Sequence, residues 1–288
     1  MALISKIAIV GVGLIGGSFA LALRGAGQVE EIIGVGRSRA NLDRAKARGV
    51  IDRDANLGDA VQGVDLVFLS MPVGATSGVL DAIAPRLAPG TVVTDAGSTK
   101  RDIVDAARAA LGESFPRFVP GHPIAGAEQS GVEAARADLF VDKRVVLTPV
   151  ADTNAQAAEA VRSLWRACGA EVHEMAPQAH DAVFAAVSHL PHLLAYALVH
   201  DVATHEAADL LFDYAASGFR DFTRIASSHP EMWRDICMAN RPALLAELGR
   251  FESVLAEARR MLEAQDAVGL ERLFDGARRA RNAWLARR

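Results

Sequence analysis

In the run IAIVGVGLIGGSFALALRGAG, three glycines stand at a spacing that can hold a phosphate: Gly11, Gly13 and Gly16. They follow a β-branched apolar stretch directly and open a segment of helical period. The first allows a tight turn, the second lets the backbone approach a pyrophosphate, and the third lets helix and strand pack closely. The helix start, with Leu14 and Ile15 in it, then presents unpaired N–H groups and a partial positive charge to an anion. Taken alone, the GxGxxG pattern would also suit a merely tight structural turn. Here strand, loop, helix and second strand follow in order, which identifies a dinucleotide loop. Where an NAD site places an acid on the ribose, about twenty residues past Gly16, the sequence reads GVGRSRANL. Arg37 and Ser38 offer a cation and a hydroxyl there, which suit the 2′-phosphate of NADP. If Arg37 is instead a solvated residue stacking on adenine, NAD serves as well.

In an open α/β sheet the ligand crevice lies outside the carboxyl ends of the strands. Three such ends carry polar or distinctive residues: SMPV, with Ser70, Met71 and Pro72; DAGSTK, with Ser98; and GHPIAG, with His122. The stretch VPGHPIAGAEQSG is too broken for a helix and too small-residued for a strand. His122, between Gly121 and Pro123, is therefore expected in a rigid loop facing the nucleotide. A loop histidine can be a plain surface residue. At that location it becomes a candidate for proton transfer in hydride chemistry, and an ordinary pKa of about 6.5 predicts that activity falls on the acid side.

The elements that must position these residues divide the chain in two. Over residues 1–175, runs such as KIAIV, EIIGV, DLVFLS, TVVTD, RFVPG, RVVLTP and AEVHEM alternate with segments of three-to-four-residue apolar spacing. That is the pattern of a Rossmann-type parallel sheet covered by helices. Over residues 176–288 nearly everything reads as helix, so the fold class is α/β followed by all-α. From Pro242, the residues Leu244, Leu248, Phe251, Leu255, Ala258 and Leu262 form an a/d seam that wants a partner helix, which predicts a homodimer through the C-terminal helices.

Composition sets limits on the partners. The 288 residues carry a formal charge of −4, and their one basic run, RRARNAWLARR, reads as a solvated helix face, so nucleic acid is not an expected partner. Cys168 and Cys237 lack any metal-binding spacing. The N-terminal apolar run is too short to span a bilayer and leads straight into the glycine loop. A cytoplasmic protein away from membranes is expected, with no metal.

In this order, GLIGGS, DAGSTK, GHPIAGAEQSG, SHLPH and GFRDFTRIASSHPEMWRDI resemble the prephenate/arogenate (cyclohexadienyl) dehydrogenase family of tyrosine biosynthesis, across nearly the whole chain. The resemblance implies a Rossmann-type domain followed by a helical dimerisation domain, with a cyclohexadiene carboxylate substrate between them. Implied too is oxidative decarboxylation of prephenate or arogenate with hydride transfer to NAD(P). By motif, His122 corresponds to the histidine that bonds the ring hydroxyl and Ser98 to the serine sharing that contact. Arg224 resembles the arginine holding the ring carboxylate, His189 and His192 match pocket histidines, and Trp233 matches a tryptophan near the wall. On the residues alone, the two histidines could equally be core, Arg224 could be an ordinary ion-pair residue, and Trp233 would by default be core. Ala127 stands where some members carry a hydroxyl residue, which bears on side-chain recognition.

Two other functions fit the same plan. A β-hydroxyacid dehydrogenase or imine reductase is one; the former would use a lysine in the second half, yet no lysine follows Lys143. The other is a non-catalytic dinucleotide sensor, which would need neither His122 nor Arg224.

Overall fold

Strand β1 (Ile4–Val10) is buried at Ile4 and from Ile7 onward, as a central parallel strand requires. A computed structural model describes residues 4–126 and 129–287 of the chain; Ala127 lies outside the described residues. β1 lies between β2 (Val29–Val35) and β4 (Leu66–Leu69). With β3 (Arg53–Asp54), β5 (Val92–Asp95) and β6 (Phe118–Val119) they form an all-parallel sheet of order β3-β2-β1-β4-β5-β6. The order reverses between β1 and β4, so the crevice for a ligand opens at their carboxyl ends.

Alternation along β1 divides the core between the two faces of the sheet. Ile7 and Ile9 join one cluster, built with α1 (Leu14–Gly25), α2 (Arg39–Ala47) and α6 (Ala155–Ala167). Ala8 and Val10 join the other, built with α3 (Leu57–Ala60), α4 (Thr76–Ile83) and α5 (Arg101–Leu111). The first is anchored by aromatics. Phe19 lies 4.3 Å from Phe68 and 4.5 Å from Trp165 between ring centroids, and Phe140 lies 5.0 Å from Trp165.

Two expectations about strands are corrected. RVVLTP and AEVHEM do form β8 (Arg144–Leu147) and β9 (Glu171–Glu174), but they leave the main sheet for a three-stranded one of order β7-β8-β9. The stretch read as a loop supplies its edge: Gly121–Pro123 is β7, antiparallel to β8, with His122 opposite Val146. An edge position tolerates Pro123, which has no N–H to give. Gly121 is needed because a Cβ there would stand 3.0 Å from the Asp95 carbonyl oxygen.

From Pro177 the chain is helical: α7 (Pro177–Phe184), a π-helical turn (Ala185–His189), α8 (Leu190–Ala203), α9 (Ala208–Asp213), α10 (Ser217–Thr223) and α11 (Pro230–Ala239). Pro191 accounts for the π turn, since it cannot donate to the carbonyl four residues back and the helix rewinds just before it. Residues 177–203 form a helix long and apolar enough to cross a bilayer, an 18-residue stretch within it having a mean hydropathy of 1.6. It nevertheless carries buried His180, Asp181 and His189, whose hydrogen bonds tie it to its neighbours in the fold.

Compactness divides the chain later than the change of pattern at Met175. The first compact unit extends to Arg241 and the second begins at Pro242. The early helices stay with the first unit because Asp181 of α7 accepts the N–H groups of Lys100 and Arg101 at the start of α5, at 2.8 and 3.0 Å. The second unit holds nearly all of α12 (Arg241–Glu263), together with α13 (Ala267–Leu285). Its apolar residues are poorly covered: Leu255, Leu262, Val268 and Phe274 are 54%, 64%, 63% and 61% exposed.

Candidate active site

The glycine loop follows β1, and each of its three glycines meets a different constraint. Gly11 has a φ of +98°, a region that L side chains rarely adopt, and a Cβ there would meet the Ser70 carbonyl oxygen at 2.7 Å. At Gly16 an added Cβ would stand 2.3 Å from both the Gly11 oxygen and Ser70 Oγ. Gly13 differs, because a Cβ there would meet nothing within 4 Å. The fold leaves that space open, directly over the N-terminus of α1, where no side chain caps the backbone N–H groups. An open cradle beside uncapped donors fits a pyrophosphate.

Ser70 holds the loop itself, donating from Oγ to the Gly11 carbonyl at 2.7 Å. Met71 and Pro72 continue the same turn at the end of β4. Beyond β2, Ser38 caps α2 by accepting the Asn41 N–H at 3.3 Å, so part of the hydroxyl's capacity is used locally. Arg37 is exposed beside it. Its neighbour Arg39 is instead engaged by Asp43 and Asp54.

A buried ion pair fixes the carboxyl ends of β5 and β6. Lys100 is fully buried and donates from Nζ to Asp95 Oδ2 at 2.5 Å and to the Gly121 carbonyl at 2.7 Å. Asp95 also accepts the Gly97 and Gly121 N–H groups, at 2.7 and 3.0 Å. Charge meets charge in this pair, both Asp95 oxygens accept hydrogen bonds, and the product is a fixed position for the residue after Gly121, which is His122. Asp95→Asn should therefore cost about 3–5 kcal/mol of stability, because it leaves a buried ammonium without its counter-charge. Urea unfolding of the two proteins measures this, and a loss below about 1 kcal/mol would show that the site relaxes around the lysine.

From His122 a chain of hydrogen bonds runs into the helices. His122 Nδ1 lies 2.8 Å from His180 Nε2, and His180 Nδ1 lies 2.8 Å from Asp181 Oδ1. Phe184 packs on both rings, 4.8 Å from His122 and 4.5 Å from His180. His122 is half-buried. Its Nε2 makes no hydrogen bond to the described residues and is not sealed from solvent, so that nitrogen faces the open side of the site. Burial, with the nearby His180, Lys100 and His189, holds the His122 pKa well below the usual histidine value. The neutral imidazole thus persists to lower pH than an unperturbed histidine would allow, which corrects the expectation of a limb near the ordinary value.

The remaining candidates gather nearby. His189 is buried, and its Nδ1 accepts from Asn240 Nδ2 at 3.0 Å, while the same amide donates to the Asp181 carbonyl at 2.8 Å. Burial brings its pKa down to about 4; the Ser98 backbone opposes the shift without closing a well-aligned bond to Nε2. Ser98 itself is half-buried in the turn before α5, and no hydrogen bond joins it to His122 among the described residues. His192 donates from Nδ1 to the Ser188 carbonyl at 2.8 Å and stacks on Trp233, with ring centroids 3.4 Å apart. Its pKa is lowered first by burial and further by the charge of Arg224, which puts Arg224 within electrostatic reach of that stack. Trp233 Nε1 and His189 Nε2 are buried N–H groups without a partner among the described residues, positions a ligand's oxygen could satisfy.

Sequence reasoning passed over His180, Asp181, Asn240 and the Asp95–Lys100 pair. A signal was present, since a His-Asp dipeptide early in an otherwise apolar helix is a pair of polar groups that burial tolerates only when hydrogen-bonded.

A nucleotide cradle, a neutral histidine with one open nitrogen, and an arginine beside a histidine–tryptophan stack thus lie within one chain. Residues 19–174 match the family model described as prephenate dehydrogenase, nucleotide-binding domain, and residues 176–276 match prephenate dehydrogenase, dimerization domain. Over 98% of its length the chain is 37% identical to the cyclohexadienyl dehydrogenase of Zymomonas mobilis, covering 97% of that protein. Among solved structures it resembles prephenate dehydrogenase from Aquifex aeolicus in complex with hydroxyphenyl propionate and NAD+, with 36% identity, a TM-score of 0.90, and 97% and 98% of the two chains covered. It also resembles Synechocystis arogenate dehydrogenase, at 31% identity, a TM-score of 0.81, and 97% and 99% coverage. With both domain models matched in order along one chain, and relatives above 30% identity over nearly full length, the chain belongs to the prephenate dehydrogenase family.

Proposed function

We propose that this chain oxidatively decarboxylates prephenate, arogenate or both in tyrosine biosynthesis, with NADP preferred over NAD. The observation that carries the reading is the open Nε2 of a neutral His122, held at the carboxyl end of the sheet on the side of the glycine loop. In the substrate, C4 carries a hydroxyl and a hydrogen, and C1 carries a carboxylate. Loss of hydride from C4 and of the hydroxyl proton gives a dienone, which aromatises as carbon dioxide leaves. A bound nicotinamide supplies the hydride acceptor. Gly11, Gly13, Leu14, Ile15 and Gly16 would hold its phosphates, with Ser70, Met71 and Pro72 walling the loop. His122 takes the hydroxyl proton at Nε2, and Arg224 pairs with the ring carboxylate close to the His192–Trp233 stack. Arg224 binds that group without trapping it, since over-stabilising the ground state would slow its loss. Ser98 and His189 line the pocket. On this reading residues 1–175 form the nucleotide domain and 176–288 the substrate and dimerisation domain. The exposed apolar residues of α12 and α13 would meet a second copy of the chain, in a cytoplasmic homodimer without membrane or nucleic-acid partners.

Turnover with prephenate and with arogenate, each offered NAD and NADP, tests the reading. Decarboxylation of at least one ring substrate is expected. Dinucleotide binding without turnover of either would favour a sensor, and turnover of a β-hydroxyacid alone would favour that rival dehydrogenase.

The cofactor preference has its own test. No acid stands in the turn directly after β2, which reads Gly36, Arg37 and Ser38, and Arg37 is exposed where the 2′-phosphate would lie. A charge-assisted contact there is worth about 1.5–3 kcal/mol, so kcat/KM should favour NADP by roughly tenfold or more, and Arg37→Asp should abolish or reverse the ratio. Equal values in the unmodified enzyme would refute the assignment.

A further inference from the structure

We propose that His180 and Asp181 are positioning residues for His122: their hydrogen-bonded chain fixes the tautomer of His122 that leaves Nε2 unprotonated, and it takes up part of the positive charge when that nitrogen gains a proton. The inference rests on the reading of His122 as proton acceptor and extends it inward by two residues.

The direction of each bond follows from its far end. Asp181 is the anchor. Burial alone would raise its pKa, but the bond from His180 and the N–H groups of Arg101 and Lys100 together outweigh it and keep the carboxylate ionised. An ionised carboxylate can only accept, so the proton of the 2.8 Å contact sits on His180 Nδ1. Burial keeps His180 neutral against the opposing pull of Asp181, with Lys100 disfavouring the cation and Asp95 favouring it. A neutral ring with its proton on Nδ1 has a lone pair on Nε2. His180 Nε2 must therefore accept across the 2.8 Å contact, and His122 Nδ1 must donate. That leaves His122 Nε2 as the ring's basic nitrogen, and it is the nitrogen without a partner among the described residues. Lys100 and His189 also face His122, and neither offers its ring an acceptor that would reverse the order.

The same chain disposes of the charge. When Nε2 accepts the hydroxyl proton, the proton on His122 Nδ1 can pass to His180 Nε2. His122 is then neutral again and the cation rests on His180, in contact with the Asp181 carboxylate. Only protons move, and none is gained or lost. Because His122 lies in the segment matched by the nucleotide-binding model and His180 in that matched by the dimerization model, the bond also sets the base of one segment against the helix of the other.

The test reads the tautomer directly, by nitrogen NMR of the full-length protein labelled with ¹⁵N-histidine, the His122 signals being assigned by their loss in His122→Asn. In the unmodified protein near neutral pH, His122 should show a protonated Nδ1 and an unprotonated Nε2; the opposite order overturns the proposal without any variant. Asp181→Asn keeps one acceptor oxygen where the Lys100 and Arg101 N–H groups use two, and an amide turned with its NH2 toward His180 donates where the carboxylate accepts, so it should mix the His122 tautomers. Its kcat should fall roughly tenfold to a hundredfold with substrate KM and cofactor affinity nearly unchanged, and the acid limb of kcat/KM should move. In a His122→Asn background, Asp181→Asn should add little further loss of kcat, whereas a merely structural role would cost the same in both backgrounds. An unchanged tautomer, or a normal kcat and pH profile in Asp181→Asn, refutes the positioning role. Near-normal turnover of His122→Asn would instead refute the underlying reading, so the two failures are distinct.

Discussion

His122→Asn is expected to lower kcat by about a hundredfold or more while leaving the binding of substrate and cofactor largely intact. Asparagine can keep a hydrogen bond to His180 and another to the ring hydroxyl, but it has no basic nitrogen. The pH profile makes the prediction specific. A cationic imidazole cannot accept a proton, and burial together with His180, Lys100 and His189 disfavours that cation. In the unmodified enzyme the acid limb of kcat/KM should accordingly lie below the ordinary histidine value of about 6.5, and in the asparagine variant it should vanish. The measurements are pH–rate profiles of both proteins, with substrate and cofactor binding followed separately. Should the variant turn over near-normally, or retain the limb in its residual activity, His122 would be a residue that shapes β7, and the proton would leave by another route.

What the chain's order of residues reveals differs between the two halves for a physical reason. The glycine loop and the strands around it are local features: β1, its turn and α1 are contiguous, and each glycine's job is visible in its spacing. Local pattern could not show that Gly121–Pro123 is a strand, because its short, broken run is held by partners elsewhere, with Asp95 26 residues before Gly121 in the chain and Val146 across the small sheet. Nor could it show that RVVLTP and AEVHEM leave the main sheet, since strand propensity does not say which edge a strand joins. His180 escaped notice for the same reason. Its partner in sequence, Asp181, was in plain view, but its partner in chemistry lies 58 positions away. Conversely, His189 looked as much like a core histidine as a pocket residue, and both descriptions hold: it is buried, with one nitrogen bonded to Asn240 and the other unpartnered among the described residues.

Arg224→Ala should raise the KM for the ring substrate by roughly tenfold to a hundredfold and leave cofactor affinity nearly unchanged. The range follows from the 1.5–3 kcal/mol of a hydrogen bond to a charged group. Arg224 lies at the C-terminal end of α10, exposed, and its charge reaches His192, which is stacked on Trp233. A carboxylate placed against that guanidinium would share the neighbourhood of the stack and of the unpartnered Trp233 Nε1. Arg224→Lys keeps the charge but not the two-pronged geometry, so it should recover part of the loss and no more. The split between KM and kcat decides what the arginine does. If Arg224 binds substrate and transition state alike, its loss raises KM with kcat held, as expected for a carboxylate that is anchored and then released. A fall in kcat of the same size as the fall in kcat/KM would mean that Arg224 acts on the departing carboxylate in the transition state. An unchanged KM in Arg224→Ala would assign the residue to structure, and the carboxylate would have to be held elsewhere in the pocket.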